Sequence, residues 1–501
     1  MPRYAITTFG CQMNVHDTER MHEVLRGAGY VEAEGNDDAD VILLNTCSVR
    51  EKAEQKLLSE LGRLGKIKRT RPELLVVVAG CVAQQEGEKL LKRARFLDLV
   101  VGPDNIQEIP RLLADLGAGG LPVARTVFDL DAPQFLTALS VSEGATTAFV
   151  TTMKGCDERC SFCIVPTTRG PERYRPSSTI VAEIQALVER GVREVTLLGQ
   201  TVNSYRDPEG AVERDEAIGD VDPDESEFAG LLRLIADRVP GLLRLRYTSP
   251  HPRHLVPSLI RAHAEVAILP KHVHLPVQSG SDRLLKRMIR RYTKDEYVRR
   301  VTALRDAVPG LTLSTDVIVG FPGETEEDFD ATLRLIEEIG FVGVFAFKYS
   351  PRPNTPALRL GDDVSEAQKS ERLGRLFAVS ERLVADHLAG LVGTTQRVLI
   401  EGAAKRGIVL TDTGEPSARA NDGSHRSYSG RSDRHEIIHI DDPAAEGLEG
   451  EIVSVLVQRA FKHSVLGELD AEARTRGLAA VAARGPRAKV RRSLPIAPAS
   501  S

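Results

Sequence analysis

Length, composition and charge set the first limits on what the chain can be. Its 501 residues are enough for two to four domains with a substantial core, because domains usually hold roughly 100–200 residues. An apolar content of 42% and a charged content of 27% are ordinary for a globular protein. The net charge of −5 gives no sign of a nucleic-acid partner, so any argument for one has to be local.

The sequence also argues against export and membrane insertion. Met1–Gly10 lacks a charged segment followed by an apolar stretch, so no signal peptide is predicted. No apolar run approaches the roughly 18 residues that a transmembrane helix needs. We therefore expect a cytoplasmic protein with no membrane partner. In that compartment the six cysteines are more typical of metal ligands than of a disulfide framework.

Residues 1–118 repeat a strand–loop–helix pattern. Continuous apolar strands that alternate with helices predict a parallel sheet covered on both faces, and therefore an N-terminal parallel α/β domain. The predicted strands are Tyr4–Phe9, Val41–Asn45, Leu74–Ala79 and Leu97–Val101. The predicted helices are Asp17–Ala28, one near Arg50–Leu64 and one near Gln84–Arg93.

A cysteine follows each of the first three strands within a few residues: Cys11, Cys47 and Cys81. Because the loops after parallel strands gather at one edge of a sheet, where ligands bind, these cysteines are predicted to converge. The alternative is three buried structural cysteines, since free cysteine is often a core residue. Glycine or polar neighbours at each position favour a ligand site.

Residues 119–144 are predicted to be a linker, and residues 145–388 a second α/β domain. About six β–α repeats favour a partial or complete parallel (β/α) barrel. The predicted strands are Thr147–Lys154, Glu194–Leu198, Leu243–Thr248, His272–Leu275, Thr312–Val319 and Val342–Tyr349. Asp207–Glu227 has ten acidic residues and one arginine without regular periodicity, which favours a solvated surface insertion.

Residues 389–470 contain short β-rich runs separated by Gly, Asp and Ser loops, a pattern typical of a small all-β barrel. These runs are Gln396–Glu401, Gly407–Thr411, Glu436–Ile440 and Ile452–Gln458. The last residues, 471–501, are rich in Ala, Arg and Pro, and we expect them to form a disordered basic tail.

The densest chemical motif is C-x3-C-x2-C, formed by Cys156, Cys160 and Cys163. Three thiolates at this spacing can hold three irons of a [4Fe–4S] cluster and leave the fourth iron open. Structural zinc needs four protein ligands, and no Cys or His nearby in sequence supplies a fourth; a catalytic zinc with three ligands stays open as an alternative. A ferredoxin-type cluster would normally use a fourth cysteine. The motif follows a predicted barrel strand, at the end of the barrel where active sites lie.

The spacing, with Phe162 before the last cysteine, resembles the radical S-adenosylmethionine (SAM) superfamily. The resemblance implies that SAM binds the open iron through its amino and carboxylate groups. It further implies that an electron from the cluster breaks a C–S bond of SAM and releases a 5′-deoxyadenosyl radical. In such enzymes the cofactor carries the chemistry, while the protein positions it and excludes water.

From about residue 3 to 470 the chain also resembles the methylthiotransferase family. The resemblance rests on Thr8–Asn14, Asn45–Glu51, Gly80–Gln84, Cys163–Pro166, Leu198–Gln200, Thr248–Pro252, Leu275–Ser281 and Gly320–Thr325. Lys462–Ser464 with Gly467–Leu469 resembles the close of a TRAM domain, the RNA-binding β-barrel of this family. The resemblance implies that Cys11, Cys47 and Cys81 hold a second, auxiliary [4Fe–4S] cluster. It implies SAM contacts at Gly199, Gln200, Asn203, Ser249, Gln278 and Gly320, and no catalytic residue beyond the cluster ligands.

Within the family, Gly10–Asn14 and Asn45–Glu51 are similar to the MiaB-type branch. That branch methylthiolates C2 of N6-isopentenyladenosine at position 37, next to the anticodon of tRNA. The implied mechanism divides the work: the radical takes hydrogen from C2, the auxiliary cluster presents sulfur, and a second SAM supplies the methyl group. Pro171 stands where the branch often has Lys, and the acidic insertion and basic tail are not family motifs. Two alternatives remain: the same chemistry on a ribosomal-protein aspartate, and a non-catalytic iron–sulfur regulator that binds RNA.

The implied partners are the tRNA anticodon loop and an electron donor and a sulfur source, both unidentified; we expect a monomer. Two local stretches are candidate RNA contacts. Gly62–Arg71 has five basic and no acidic residues, and Arg283–Arg300 has eight basic and two acidic residues with Tyr292 and Tyr297 between them. Solvated helix faces are the alternative explanation for both.

Overall fold

Three units follow one another along the chain: a parallel α/β sheet, a second α/β unit and a closed β-barrel. The computed structural model describes residues 1–48, 51–131, 133–137, 144–212, 226–404, 407–410, 416–419 and 427–484. The fold class predicted from the sequence is confirmed. Among these described residues, no helix is both long and apolar enough to cross a lipid bilayer.

The N-terminal unit is a six-stranded parallel sheet in the order β2-β1-β3-β4-β5-β6. Its strands are β1 (Arg3–Phe9), β2 (Val31–Glu32), β3 (Val41–Thr46), β4 (Leu75–Gly80), β5 (Leu99–Val101) and β6 (Val123–Arg125). Its helices are α1 (Gln12–Gly27), α2 (Glu51–Thr70), α3 (Cys81–Glu86), α4 (Glu88–Arg93) and α5 (Ile109–Gly117). Strand β3 is buried at every residue, because helices cover both faces of the sheet. The register pairs Phe9 with Thr46 and Thr46 with Gly80, so β1, β3 and β4 end at the same edge.

Some boundaries of this unit differ from the prediction. Helix α1 begins directly after Cys11, and not at Asp17, while Cys81 is itself the first residue of α3. Strand β6 lies inside the predicted linker 119–144 and pairs with β5, so the sheet extends beyond residue 118. The helix starts are set by backbone capping, and the extra strand is set by backbone pairing with β5. The spacing of apolar residues in the sequence does not indicate either interaction.

The second unit has six parallel strands in two three-stranded sheets, ordered β11-β10-β7 and β12-β13-β14, which together form a partial barrel. These strands are β7 (Thr147–Thr151), β10 (Glu194–Leu198), β11 (Arg244–Tyr247), β12 (His272–His274), β13 (Thr312–Val319) and β14 (Gly343–Lys348). The antiparallel pair β8 (Met153–Lys154) and β9 (Arg173–Tyr174) closes the base of the cysteine loop. The helices are α6 (Val165–Arg169), α7 (Ser177–Glu189), α8 (Glu227–Arg238), α9 (Pro257–Glu265), α10 (Asp282–Arg287), α11 (Lys294–Ala307), α12 (Glu326–Ile339) and α13 (Glu366–Ala389).

The two ends of the acidic stretch Asp207–Glu227 are part of the folded core, which corrects the prediction of a solvated insertion there. Asp207 and Glu227 are buried. The Asp207 carboxylate accepts hydrogen bonds from the backbone N–H and the hydroxyl of Ser177, at 3.1 and 2.8 Å, and so holds the first turn of α7. Residues 213–225 lie outside the described residues.

The third unit is a closed five-stranded barrel in the order β15-β18-β19-β21-β20. Its strands are β15 (Thr395–Ala403), β18 (Tyr428–Ser432), β19 (Ile437–Ile440), β20 (Ile452–Ala460) and β21 (Val465–Leu469); β16 (Gly407–Leu410) and β17 (Pro416–Arg419) form a separate hairpin. The prediction of disorder from residue 471 was wrong for its first part, because α14 (Ala471–Arg484) packs on the barrel. Gly447 and Gly477 allow this close packing, since a Cβ on Gly447 would lie 2.2 Å from the Gly477 carbonyl oxygen. Residues 485–501 lie outside the described residues.

The β-barrel docks on the amino ends of the parallel strands in the second unit. Arg244, the first residue of β11, is buried and donates to the Arg431 carbonyl at 2.7 Å. Thr146, just before β7, donates to the Glu401 carbonyl at 3.0 Å, and Thr312, which starts β13, donates to the Arg434 carbonyl at 3.2 Å. The barrel therefore lies at the opposite end of these strands from the C-x3-C-x2-C loop.

Candidate iron–sulfur centres

The structure brings Cys11, Cys47 and Cys81 together at the carboxyl edge of the N-terminal sheet. Cys11 caps α1, Cys47 follows β3, and Cys81 opens α3. A hydrogen bond with Cys47 lowers the pKa of Cys11 to about 6, and the Cys11 thiol also interacts electrostatically with Cys81. Backbone N–H groups of Met13 and Asn14, at the start of α1, also lower the pKa of Cys11 and favour its thiolate form.

Side chains and glycines around this site hold its cysteine loops close together. The amide of Asn45 donates to the Asn14 carbonyl at 2.8 Å and to the Thr18 hydroxyl at 2.9 Å. Gly80, before Cys81, has φ +90°, and a Cβ there would lie 2.3 Å from Oδ1 of Asn45. A Cβ on Gly10 would lie 2.8 Å from that of Cys47. Larger residues at either glycine would push the cysteine loops apart.

One cation, Arg169, stands beside the N-terminal cysteines although it belongs to the second unit. It pairs with Asp17 at 2.5 Å, and both side chains are buried. Burial raises the pKa of Cys81, whereas the charge of Arg169 and its hydrogen bond to this thiol oppose that rise. A buried cation fits a site that carries three thiolates, so the donor set suits an iron–sulfur cluster of net negative charge.

The second cysteine site lies in the loop between β8 and β9. Gly155 has φ +78°, and a Cβ on it would lie 1.9 Å from the Pro171 carbonyl oxygen, so only glycine fits before Cys156. The Cys156 thiol lies 3.1 Å from the Thr201 hydroxyl, and the Cys160 thiol accepts from Nη1 of Arg290 at 3.3 Å. The thiol of Cys163 interacts electrostatically with both. The three thiols are therefore close enough to interact, which is compatible with a cluster that has three cysteine ligands.

Burial changes the protonation of the thiols at this second site. Burial raises the pKa of Cys156 to about 11 and that of Cys163 to about 12. Without metal these two thiols hold their protons at neutral pH, and iron would take the place of those protons as the positive partner. The geometry and the buried sulfur donors fit a [4Fe–4S] cluster.

The residues predicted to contact SAM lie after successive parallel strands, at the same end of the second unit as the cysteine loop. They are Gly199, Gln200 and Asn203 after β10, Ser249 after β11, Gln278 after β12 and Gly320 after β13. Gln200 has both side-chain amide atoms buried without a hydrogen-bond partner, so it can receive a ligand. Asn203 is already engaged: its amide donates to the His251 carbonyl at 3.0 Å and accepts from the His251 N–H at 2.8 Å.

A cavity of about 610 Å³ opens beside the cysteine loop. Its lining combines carboxylates and cations from several loops, including Asp157, Glu158, Glu172, Arg253, His254 and Arg291. The volume lies in the range of small-molecule sites. Glu158, His251 and His254 bring possible metal-ligand atoms within 4.8 Å of one another, but the charges of Arg253, Arg290 and Arg300 surround His251 and disfavour a further cation there.

The basic stretch Arg283–Arg300 is only partly a surface, which corrects its interpretation as a row of RNA contacts. Tyr292 and Tyr297 are buried and donate to backbone carbonyls, of Val277 and Leu275, both at 2.8 Å. Arg290 is buried and donates to the Cys160 sulfur. Sequence reasoning missed Arg169, Thr201 and Arg290, because nothing local to them indicates which sulfur they approach.

Comparisons with known proteins agree with this architecture. Residues 3–102 match the model of uncharacterized protein family UPF0004, and residues 150–336 match that of the radical SAM superfamily. The tRNA-2-methylthio-N(6)-dimethylallyladenosine synthase of Sorangium cellulosum is 64% identical over 511 residues, covering 99% of both chains. The synthase of that name from Geobacter metallireducens is 45% identical, covering 93% of this chain and 97% of its own.

Among solved structures, a radical S-adenosylmethionine methyltransferase from Kitasatospora setae is similar with a TM-score of 0.49 and 14% identity, over 79% of this chain and 81% of that one. This similarity is too low to bear on activity. The two synthases are similar along nearly their whole lengths. The chain therefore belongs to the tRNA-2-methylthio-N(6)-dimethylallyladenosine synthase family, whose central region is a radical SAM domain.

Proposed function

We propose that this chain methylthiolates C2 of N6-isopentenyladenosine at position 37 of tRNA, next to the anticodon, in a SAM-dependent radical reaction. The observation that carries the proposal is the presence of two three-cysteine sites in a chain 64% identical to such a synthase. A ribosomal-protein substrate is disfavoured, because the relatives that match along the full length are named for a tRNA nucleoside.

Cys156, Cys160 and Cys163 would hold the [4Fe–4S] cluster that binds SAM. When bound, this cluster supplies the electron that cleaves SAM. The protein provides the surroundings: Thr201 and Arg290 contact two of the sulfur atoms, and Gln200 offers a free amide toward the carboxyl ends of the strands. Cys156 and Cys160 are buried, which limits the access of water to their sulfur atoms.

Cys11, Cys47 and Cys81 would hold the auxiliary [4Fe–4S] cluster, from which sulfur is presented to the substrate carbon. The Arg169 guanidinium stabilises negative charge at this site and is itself held by Asp17. The side chains of Asn14 and Asn45 keep the three cysteine loops at fixed positions. Arg169 comes from the segment after Cys163, and its ion pair with Asp17 links this segment to α1. This link holds the two cysteine sites near each other, as a reaction that uses both requires.

The RNA partner would be the tRNA anticodon loop, whose single-stranded bases can be splayed into a pocket. Arg253 and Arg291 line the cavity beside the cysteine loop and are suited to phosphate contacts at its mouth. We assign the C-terminal barrel as a TRAM domain that holds tRNA at a distance from the chemistry. The reaction also needs an electron donor and a sulfur source, both unidentified. We propose a monomeric, cytoplasmic enzyme.

The experiment that tests this function is mass spectrometry of tRNA nucleosides from a strain that lacks the gene. We expect the deletion to remove the 2-methylthio nucleoside and to leave N6-isopentenyladenosine in its place. Complementation with the wild-type gene should restore it, and Cys47→Ala should not. An unchanged nucleoside profile in the deletion strain would contradict the proposal.

A further inference from the structure

Arg290 is a buried cation that contacts the sulfur of Cys160. Its side chain is almost fully buried, with the residue 5% exposed. Nη1 donates to the Cys160 sulfur at 3.3 Å, Nη2 to the Pro276 carbonyl at 3.2 Å, and Nε to the Tyr292 hydroxyl at 3.1 Å. Within the described part of the chain, no carboxylate contacts this guanidinium. A buried cation without a counter-charge is costly, and the Cys160 sulfur would supply that charge when it is a cluster ligand.

The backbone around Arg290 is arranged to point this side chain inward. Ile289 and Arg291, on either side, have φ of +58° and +57°. Positive φ is uncommon for any residue with a side chain and is an outlier for a β-branched one such as isoleucine. Ile289 and Arg291 are exposed, whereas Arg290 between them is buried. The chain thus accepts strained conformations on both sides of the residue that reaches Cys160, and such strain persists where the surrounding structure enforces it.

The same segment is fastened to the cysteine loop by further hydrogen bonds. The backbone N–H of Ser161 donates to the Met288 carbonyl at 2.9 Å, and its hydroxyl donates to the Arg287 carbonyl at 2.8 Å. Ser161 follows Cys160, and Arg287 and Met288 come shortly before Arg290. These hydrogen bonds therefore hold the two segments that supply the N–H···S contact next to each other. Tyr292 completes the support, because its ring lies 5.4 Å from the guanidinium carbon and its hydroxyl donates to the Val277 carbonyl.

We propose that Arg290 tunes the reduction potential of the SAM-binding cluster through its hydrogen bond to the Cys160 sulfur. Adding an electron makes a cluster with three thiolate ligands more negative. A cationic donor stabilises this reduced form more than the oxidised form, which raises the reduction potential of the cluster and makes the cluster easier to reduce. Arg290 is therefore a positioning residue that acts through Cys160. The inference rests on the proposed function in one respect, the assignment of Cys160 as a cluster ligand.

The test is an EPR-monitored redox titration of the full-length protein with both clusters. A change of the EPR signal on adding SAM identifies the cluster of interest, so the second cluster serves as an internal reference. Arg290→Gln should keep wild-type iron content and shift this potential to a more negative value. At a fixed potential, the ratio of reduced to oxidised cluster should fall by roughly three- to tenfold, the effect of losing part of one charge-assisted hydrogen bond.

Matched variants distinguish an effect on the reduction potential from a general loss of structure. Arg299→Gln removes an exposed arginine of the same basic stretch that does not line the cavity, and should leave the potential unchanged. Arg290→Lys keeps the charge but not the forked donor, and its potential should lie between those of Arg290→Gln and wild type. An unchanged potential in Arg290→Gln, or loss of iron in both Arg290 variants, would overturn the inference. Cys160→Ala tests the ligand assignment separately: it should abolish the SAM-sensitive signal, and a signal that persisted would count against the proposed function itself.

Discussion

Arg169 and Asp17 form a buried ion pair that joins the two cysteine-bearing units, with Nη2 of Arg169 2.5 Å from Oδ2 of Asp17. Asp17 lies in α1, the helix that starts directly after Cys11, and Arg169 ends α6, shortly after Cys163. Although burial, the largest single effect, raises the pKa of Asp17, the charge of Arg169 and the hydrogen bonds to His16 and Arg169 together outweigh it, and the pKa falls to about 2. The pair therefore stays ionised at neutral pH and sets the relative position of the two sites.

Asp17→Asn should destabilise the protein and loosen its N-terminal site. The substitution leaves a buried guanidinium without its carboxylate, which costs ~3–5 kcal/mol. We expect a lower melting temperature and less iron at the N-terminal site. Asp115→Asn is the matched control, because its pair with Arg111 is exposed and worth at most about 1 kcal/mol. Equal melting temperatures for the two variants would show that the buried pair is not a structural link.

Iron content should report the two sites independently. Anaerobic reconstitution of the wild type is expected to give about eight irons per chain, from two cubane clusters. Replacing Cys156, Cys160 and Cys163 together by Ala should remove about half of this iron and all SAM cleavage. The measurement is iron analysis together with a SAM-cleavage assay on one preparation. SAM cleavage that survived the triple substitution would contradict the assignment of this site.

The exposed Arg291 should contribute to tRNA binding. It lines the cavity beside the cysteine loop, where a phosphate of the anticodon stem-loop would lie. Arg291→Glu should weaken tRNA binding and lower the slope of log affinity against log salt by about 1, the effect of one lost phosphate contact. Arg238→Glu, on an exposed helix end away from the cavity, is the control and should leave affinity and slope unchanged. Equal tRNA affinities and equal salt slopes for the two variants would show that Arg291 does not contact the RNA.

Deleting the C-terminal barrel is a poor test of RNA binding. Arg244 is buried beneath the barrel, where it donates to Asp433 at 2.8 Å and pairs with Glu194 at 3.5 Å. A truncation at residue 389 would expose this cluster and change the stability of the second unit. Substitutions on the surface of the full-length chain avoid that effect, since they leave the interface intact.

His263 should make the protein less stable in mild acid. Burial lowers its pKa to about 4, whereas an unfolded chain has a histidine pKa near ~6.5. Between these values the unfolded chain binds a proton that the folded chain does not, so stability rises with pH through this window and is lost as pH falls. The contribution between pH 7.5 and 5.5 is about 1.4 kcal/mol. His263→Gln should reduce the difference in melting temperature between pH 7.5 and 5.5. The control His463→Gln, at an exposed histidine, should leave this difference as in the wild type. The prediction would be contradicted if His263→Gln showed the same difference as the wild type.

Much of the fold could be predicted, because strand patterns and their order determine where loops gather. Cys11, Cys47 and Cys81 lie more than thirty residues apart in sequence, yet the parallel order of β1, β3 and β4 brings them to one edge. The C-x3-C-x2-C loop was likewise expected at the carboxyl end of a barrel strand. Both predictions depend on backbone topology alone.

The supporting residues could not be predicted, because their roles depend on contacts between distant segments. Arg290 stands in a basic run that resembles a surface, but it is flanked by two residues of positive φ and donates to the Cys160 sulfur. Asp207 belongs to an acidic stretch that indicates solvent exposure, but its carboxylate holds the start of α7. The tail was misjudged for another reason: a composition rich in Ala and Arg also favours helix, and α14 gains its stability by packing on the barrel.

The central claim is that two cysteine sites divide one reaction between them. The most direct measurement is an anaerobic assay of purified Cys47→Ala with SAM, reductant and tRNA that carries N6-isopentenyladenosine, following 5′-deoxyadenosine and the methylthiolated nucleoside by mass spectrometry. The account predicts that Cys47→Ala forms 5′-deoxyadenosine but no methylthiolated nucleoside, whereas the wild type forms both. Formation of the methylthiolated nucleoside by Cys47→Ala would contradict it.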